Sequence, residues 1–273
     1  MAVDLFLPEF PSSEGIQTIV YVHGFKGFKD WAFVPHLHDF LVTENTAVVT
    51  FNFTHNGFDR RDFDDLHRFA DNTVTQELRD MESIALWLVN EACQEYNLHP
   101  EKISWLGHSR GGANVILFAS KFPDYVDKIV TWSAIDSYES LFKAIDKNEW
   151  KSQETVQIMN ARTQQEMPLN YIIWQDLEMH SKEYNILSAA GILTKPWLMI
   201  HGNSDIVVPI EAARNLYAAC DHSIKIEIEN QDHTFGCKHP MKDLSEAPQD
   251  FWFILDNTLE FITEELDDSD IQI

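Results

Sequence analysis

Short runs of apolar, β-branched and aromatic residues recur along the chain and predict buried strands. Most of them are apolar at every position, which is typical of strands covered on both faces. The predicted strands cover residues 16–22, 46–53, 103–106, 129–132, 197–200 and 224–228. Strands of this kind indicate a sheet that lies between two layers of helices.

Segments with helical spacing lie between these strands. The first begins with a capping box from Thr73 to Gln76 and continues, with apolar residues three and four positions apart, to about Tyr96. Further helices are predicted over residues 111–122, 210–220 and 250–264. The alternation of strand and helix indicates an α/β fold with a mostly parallel, twisted sheet of six to eight strands and helices on both faces.

The stretch 136–193 breaks this alternation. It contains helical patches and many large side chains but no convincing pair of strands. We therefore expect a helical cap, inserted into a core formed by residues 1–135 and 194–273. Most of its aromatic and methionine side chains should fill the cap or its contact with the core. The candidates within it for substrate contact are Trp150, Tyr171 and Trp174.

Charge and composition narrow the class of protein. The chain has 273 residues, with 20 Lys and Arg against 44 Asp and Glu, a formal charge of −24 that would repel nucleic acid and anionic membranes. No apolar run approaches the roughly 20 residues needed to cross a bilayer, and the first residues lack the pattern of a signal peptide. Cys93, Cys220 and Cys237 form no metal or disulfide pattern. We expect a cytoplasmic protein that acts on a small molecule; the oligomeric state stays open.

Ser109 lies in the sequence Gly-His-Ser-Arg-Gly, which fits the pattern G-x-S-x-G. The pattern follows one predicted strand and precedes a predicted helix, the setting in which a sharp turn exposes a nucleophilic serine. Glycines two positions before and after the serine are then needed, because side chains there would collide with neighbouring backbone. The pentapeptide alone is equally compatible with a glycine-rich turn whose serine has no chemical role.

A serine hydroxyl is a poor nucleophile at neutral pH and needs a base and an acid that orients the base. Asp205 follows the predicted strand 197–200, and His233 follows the predicted strand 224–228. The carboxyl ends of parallel strands share one edge of the sheet, so Ser109, Asp205 and His233 can converge there.

Other residues compete for these roles. His23 and His108 are alternative bases, but neither position readily receives the Ser109 proton, since His108 flanks the serine and His23 belongs to the turn after the first strand. Asp136, beyond the strand 129–132, is the rival to Asp205 as the acid. Asp205 is favoured, partly because Asp136 begins the inserted segment.

The chain order Ser, Asp, His, together with the segments GHSRGG, HGNSDIVVP and DHTFG, resembles the α/β-hydrolase superfamily. Within it, the chain is similar to the branch of serine aminopeptidases, dienelactone hydrolases and small feruloyl-esterase-like proteins. The resemblance spans residues 17–264 and implies the α/β-hydrolase fold with Ser109 as nucleophile. Only 22 residues precede His23, so the leading antiparallel strands of that fold must be shortened or partly lost. Arg110 stands where such proteins often have Met, Gln or Leu.

The segment Val-His-Gly-Phe-Lys-Gly, from Val22 to Gly27, resembles the oxyanion loop of that superfamily. By this resemblance the backbone N–H groups of Phe25 and Arg110 would be the donors of an oxyanion hole. A strand-ending turn without a catalytic role is the alternative. The Arg110 side chain could bind a substrate carboxylate, but pairing with a local Asp or Glu is favoured.

The resemblance implies a serine hydrolase that cleaves a carboxylic ester of a small or medium acyl or aromatic substrate through an acyl-enzyme. An aminopeptidase or amidase on the same residues is the alternative, and a non-catalytic binding protein is less favoured. An aminopeptidase would need a cap carboxylate for the substrate amine; the possible ones are Glu139, Glu149, Glu154, Glu166, Glu178 and Glu183. No cofactor or metal is expected, because the acidic loop 54–72 matches no metal-binding signature.

Overall fold

The computed structural model describes residues 1–42, 45–58, 63–160, 164–221 and 223–264. Its strands, in chain order, are β1 (Val3–Phe6), β2 (Ile16–Val22), β3 (Thr46–Phe51), β4 (Leu98–His108), β5 (Ile129–Trp132), β6 (Thr155–Asn160), β7 (Gln165–Asn170), β8 (Trp197–Gly202) and β9 (Ser223–Ile228). Each of the six strands predicted from apolar runs corresponds to one of them. The longest, β4, begins five residues before the predicted start. Residues 99–102 are not apolar and are at least partly exposed, so they leave no apolar run in the sequence.

Seven strands form the central sheet within these ranges, in the order β1-β3-β2-β4-β5-β8-β9. All neighbouring pairs are parallel except β1 and β3, which pair antiparallel with Val3 opposite Phe51. The prediction of a mostly parallel sheet of six to eight strands is confirmed. The leading antiparallel part is reduced to β1, a four-residue edge strand.

The helices of the described residues are α1 (Val34–Leu41), α2 (Leu66–Ala70), α3 (Val74–Trp87), α4 (Cys93–Glu95), α5 (Arg110–Lys121), α6 (Lys147–Gln153), α7 (Ile172–Met179), α8 (Ile186–Ala190), α9 (Glu211–Ala219) and α10 (Gln249–Thr263). A π-helical turn, Leu88–Ala92, joins α3 to α4. The hydroxyl of Thr73 accepts a hydrogen bond from the Gln76 N–H at 3.1 Å, as its capping role requires. None of these helices is long and apolar enough to span a membrane.

The sheet lies between two apolar layers. Successive residues of β2 alternate between them: Val20 and Val22 pack into the layer that contains α3 and α5, whereas Ile19 and Tyr21 pack into the layer that contains α1 and α10. This alternation follows from the two-residue period of a strand. It explains why the strand is apolar at nearly every position.

The segment between β5 and β8 is not wholly helical. β6 and β7 pair antiparallel in it, with Ile158 opposite Met167, so the expectation of no strand pair was wrong. Pro168 masks β7 as a strand in the sequence. In a two-stranded sheet each strand is an edge, so a residue without an N–H can be placed on the side that faces no partner.

The inserted segment is tied to the core by hydrogen bonds to the residues around α2 and α3. The Thr75 N–H donates to Asp176 Oδ2 at 3.0 Å, and Asn170 Nδ2 donates to Asp71 Oδ1 at 2.7 Å. The hairpin thereby lies against α2, close to the carboxyl ends of β2 and β4.

Candidate active site

Ser109 lies between the end of β4 and the start of α5 with φ +57° and ψ −121°. Few residues other than glycine adopt such a backbone conformation, and it is found chiefly at functional sites. The flanking glycines permit close approach of the backbone. A Cβ on Gly107 would lie 2.4 Å from the Gly111 carbonyl oxygen, and one on Gly111 would lie 2.2 Å from the Val22 carbonyl oxygen. The predicted reason for these glycines is confirmed.

The loop after β2 lies directly on this serine. A Cβ on Gly24 would come within 2.9 Å of Ser109 Cβ and 3.5 Å of Ser109 Oγ. The next residue, Phe25, lines the same cavity as Ser109, and its N–H has no hydrogen bond to any described residue. Arg110 begins α5, so its N–H has no partner within the helix. Both predicted oxyanion donors are therefore beside the serine.

Asp205 and His233 are joined by a hydrogen bond of 2.7 Å between Asp205 Oδ2 and His233 Nδ1. Asp205 Oδ1 accepts the N–H groups of Val207 and Val208, both at 2.8 Å, which fixes the plane of the carboxylate. The two turns lie close enough because residue 202 is glycine: a Cβ there would be 2.3 Å from the Gln231 carbonyl oxygen.

A second imidazole touches the same carboxylate. His201 Nε2 lies 3.4 Å from Asp205 Oδ2 and donates to the Val208 carbonyl oxygen at 2.8 Å. Burial of Asp205 opposes its ionisation, but hydrogen bonds from His201 and His233 hold its pKa well below the usual value. Asp205 is therefore ionised at neutral pH. Because Nδ1 of His233 donates to it, Nε2 of His233 is left as the proton acceptor.

The competing histidines have other partners. His23 is buried, and its Nδ1 donates to the Gly24 carbonyl oxygen at 3.0 Å. His108 donates from Nε2 to the His233 carbonyl oxygen at 2.9 Å. Burial lowers the pKa of His23 to about 4 and that of His108 to about 3, so both rings are neutral near pH 7. Each ring therefore binds a backbone carbonyl oxygen, that of Gly24 for His23 and that of His233 for His108.

Asp136, the alternative acid, accepts a hydrogen bond from Asn215 Nδ2 at 2.8 Å. It is not among the hydrogen-bond partners of His233. The geometry therefore brings Asp205, and not Asp136, to the histidine.

A cavity of about 250 Å³ adjoins Ser109 and His233. Its walls are largely aromatic, with Val207 and Asn160 beside the catalytic candidates. The lining residues are Tyr21, His23, Gly24, Phe25, Lys26, Gly27, Phe28, Trp31, His108, Ser109, Asn160, Val207, His233 and Thr234. No Asp or Glu of the described residues belongs to this lining.

The three aromatic residues named as candidates for substrate contact are not part of this lining. Trp150 is fully buried and donates from Nε1 to the Leu169 carbonyl oxygen at 2.9 Å. It packs against Tyr171 and Trp174, with ring centroids 5.8 and 6.5 Å away, respectively. Together with Phe142, they form the core of the inserted segment.

The sequence reasoning missed the residues that do line the cavity. Phe28 and Trp31 follow the oxyanion loop closely, and Val207 follows Asp205 by two positions. Proximity in sequence to the candidate catalytic residues is the signal that would have identified them. Asn160 gives no such signal, because it ends the unpredicted strand β6.

The side chain of Arg110 is buried and paired with an acid of the chain, as favoured from the sequence. Its Nε donates to Glu77 Oε2 at 2.9 Å, and Nη2 lies 2.7 Å from Glu77 Oε1. Its charge is therefore paired within the protein, at a side chain that is 1% exposed.

The acidic loop 54–72 is engaged in local contacts. Thr54 donates its N–H to Asp80 Oδ2 at 2.7 Å, and Asp65 caps α2 by accepting the Arg68 N–H at 3.1 Å. Residues 59–62 of this loop lie outside the described residues. Elsewhere in the loop and in the other described ranges, no three His, Cys, Asp or Glu side chains are grouped so that they could hold a metal ion.

Comparison with solved structures places this arrangement on a known fold. Est1E from Butyrivibrio proteoclasticus with bound ferulic acid superposes with a TM-score of 0.69 at 17% identity, covering 96% of this chain and 93% of that one. A monoacylglycerol lipase from Paleococcus ferrophilus gives 0.66 at 17% identity, covering 96% and 97%. Mouse alpha/beta hydrolase domain-containing protein 10 gives 0.68 at 15% identity, covering 95% and 92%.

The sequence has no match among the curated proteins compared with it. A family model does match: the model described as BD-FAE aligns with residues 3–220, well over half of the chain. That range includes the loop after β2, the serine turn and Asp205. The chain has the α/β-hydrolase fold and belongs to the BD-FAE family.

Proposed function

We propose that this protein is a serine hydrolase that cleaves carboxylic esters of small or medium acyl or aromatic acids. One observation carries the proposal: His233, hydrogen-bonded to the buried Asp205, shares a cavity with Ser109, whose backbone is held in a strained turn. A base, an acid that orients the base and a hydroxyl at the cavity wall are the parts that nucleophilic acyl transfer needs.

In the proposed reaction His233 Nε2 takes the proton of Ser109 Oγ as that oxygen attacks the ester carbonyl carbon. The tetrahedral adduct collapses by breaking the bond to the alcohol oxygen, which receives the proton from His233. Water then attacks the acyl-enzyme, His233 takes its proton, and the acid leaves as the proton returns to Ser109 Oγ. No hydrogen bond joins Ser109 Oγ to His233 in the described structure, and such bonds often tighten only when substrate binds.

The N–H groups of Phe25 and Arg110 are proposed to hold the oxyanion of the adduct. Preorganised backbone donors of this kind stabilise the charge that develops in the transition state and need no reorganisation. The position of Arg110 at the first turn of α5 adds the positive end of the helix dipole.

The walls of the cavity favour an ester over an aminoacyl substrate. A substrate with a free amine would need a carboxylate near the serine, and no Asp or Glu within the described residues lines the cavity. The cavity volume, about 250 Å³, is slightly below the roughly 300 Å³ of the smallest pockets that hold drug-sized ligands, so it suits a small or medium acyl group. Aromatic walls suit an apolar or aromatic acyl group, and a structural relative is solved with ferulic acid bound.

Labelling with a fluorophosphonate probe, followed by peptide mapping, tests the nucleophile. We expect the label on Ser109 and none on the Ser109→Ala variant. A second assay compares ester and amide substrates that share one acyl group, in short-chain, hydroxycinnamoyl and aminoacyl series. Turnover of the esters supports the proposal. Unlabelled Ser109 in folded protein would overturn the nucleophile assignment, and turnover of aminoacyl amides alone would overturn the ester assignment.

A further inference from the structure

A buried ion pair lies directly behind the proposed oxyanion hole. The Arg110 and Glu77 residues are 1% and 4% exposed, and they form two contacts, at 2.9 and 2.7 Å. Asn114 Nδ2 donates to Glu77 Oε2 and Asn72 Nδ2 donates to Glu77 Oε1, both at 2.7 Å. The carboxylate is thus held from several sides, and the two buried charges compensate each other.

The guanidinium also touches the residue that supplies the other donor. Arg110 Cζ lies 5.3 Å from the centroid of the Phe25 ring, within the range of a cation–π contact. Arg110 would therefore supply one donor with its backbone N–H, and its side chain packs on Phe25, whose N–H would be the other donor. The orientation of that side chain is set by Glu77.

The same network reaches the inserted segment. Tyr138 donates its hydroxyl hydrogen to Asn114 Oδ1 at 2.6 Å, and Phe142 packs edge-on against Phe25 at 6.0 Å. The Phe25 ring is consequently held by Arg110 on one side and by the aromatic core of the insertion on another.

We infer that Glu77 is a positioning residue of the oxyanion hole, acting through the Arg110 side chain on Phe25. The inference rests on the hydrolase activity proposed above. Without the carboxylate, a buried guanidinium loses its compensating charge and must move toward solvent. It would then leave the Phe25 ring, and a displacement of about 1 Å in a catalytic group can lower the rate on the order of 100-fold.

Glu77→Gln tests this inference, with Asp80→Asn as the matched control. Both substitutions neutralise a buried carboxylate of α3, but Asp80 bonds to Thr54 and Gln76 and is no hydrogen-bond partner of Arg110. We expect Glu77→Gln to lower kcat about 10- to 100-fold with KM changed by less than about threefold, because a shifted oxyanion donor acts on the transition state. Asp80→Asn should leave kcat and KM within about twofold, corrected for the folded fraction.

A double variant separates positioning from charge compensation. Glu77→Gln combined with Arg110→Met removes both buried charges, so the unfolding midpoint should recover toward wild type. A purely structural role predicts that kcat recovers with it, whereas the positioning role predicts that kcat stays low. If Glu77→Gln alone does not fold, kcat of the double variant still tests the inference.

Wild-type labelling at Ser109 and ester turnover are measured first. Their absence would contradict the proposed function and not this inference. With wild type active, three results would overturn the inference: Glu77→Gln as fast as wild type, Asp80→Asn as slow as Glu77→Gln, or kcat of the double variant restored.

Discussion

His233 Nδ1 lies 2.7 Å from Asp205 Oδ2, and two backbone N–H groups hold the other oxygen of that carboxylate. The carboxylate cannot turn away, so the proton of the imidazole is fixed on Nδ1. The depressed pKa of Asp205 shows the same coupling, since hydrogen bonds from His233 and His201 favour its charged form against burial. The pair thus holds the imidazole in a defined tautomer, which the proposed role as base requires.

Asp205→Asn should abolish most of the activity. The amide can donate where the carboxylate only accepts, so it favours the wrong tautomer of His233, and kcat should fall by about 10⁴, the loss typical of this substitution in Ser-His-Asp hydrolases. Steady-state hydrolysis of a short acyl ester, normalised to titrated Ser109, measures the effect.

Asp136→Asn is the matched control for that variant. Asp136 accepts a hydrogen bond from Asn215 and not from His233, so kcat of the Asp136→Asn variant should stay within about twofold of wild type. Equal losses in the two variants would contradict the assignment of Asp205 as the orienting acid.

Gly24→Ala should lower kcat without unfolding the protein. The new methyl group would lie 2.9 Å from Ser109 Cβ and 3.0 Å from the His108 carbonyl oxygen, so the oxyanion loop must move off the serine. Displacing one donor should cost about 10²-fold in kcat. Ester kinetics combined with the thermal midpoint measure both effects.

Gly191→Ala provides the comparison. Gly191 has φ −67°, and the nearest neighbour of its Cβ would be the Ala219 carbonyl oxygen at 3.3 Å. A kcat for Gly24→Ala as high as that of Gly191→Ala would show that the loop can shift without consequence for the reaction.

The strands of the central sheet could be predicted because parallel strands buried on both faces leave an apolar run in the sequence. The edge strand β1 and the hairpin of β6 and β7 leave none, since each is half exposed. Pro168 further conceals β7. The catalytic candidates were predictable for a related reason: each follows an apolar strand, and the topology brings the carboxyl ends of those strands together.

The place of the insertion's aromatic residues and the partner of Arg110 could not be predicted in the same way. Glu77 lies 33 positions before Arg110, on a helix whose apolar spacing gives no sign that Glu77 and Asp80 are buried. Aromatic residues in an insertion look alike whether they line a pocket or fill a core. Only packing shows that Trp150 is buried among other rings.

Stability should fall as the pH is lowered from 7.5 to 5, and His108 should account for part of that fall. Burial lowers the pKa of folded His108 to about 3, whereas an unfolded histidine titrates near 6.5. Below about pH 6.5 the unfolded chain therefore binds a proton that the folded chain does not. By pH 5 this difference amounts to about 2 kcal/mol for one histidine.

His108→Gln removes that contribution and can still donate to the His233 carbonyl oxygen. Urea unfolding of both proteins at pH 7.5, 6.5, 5.5 and 5.0 should give a shallower pH dependence for the variant. His23, also buried and neutral, remains in both proteins, so some dependence persists. Parallel curves for the two proteins would contradict the assignment of a neutral, buried His108.

Substitution of Trp150 should change the stability, whereas substitution of Val207 should change KM, because only Val207 lines the cavity. Trp150→Leu removes a fully buried indole and its hydrogen bond to the Leu169 carbonyl oxygen, so it should lower the free energy of unfolding by about 3 kcal/mol. KM of the folded protein should not change.

Val207→Phe places a ring at the cavity of about 250 Å³. Val207 is 61% exposed, so this substitution should leave the unfolding midpoint nearly unchanged.

The Val207→Phe variant should discriminate between substrates by size. A longer or aromatic acyl group must share the narrowed cavity with the new ring, whereas an acetyl group need not. KM should therefore rise about tenfold for the larger esters and little for acetyl esters, since one lost apolar contact is worth about 1–3 kcal/mol. Initial rates over an acyl-length series test this. If Trp150→Leu shifted the acyl preference and Val207→Phe did not, the substrate would lie under the inserted segment and not in this cavity.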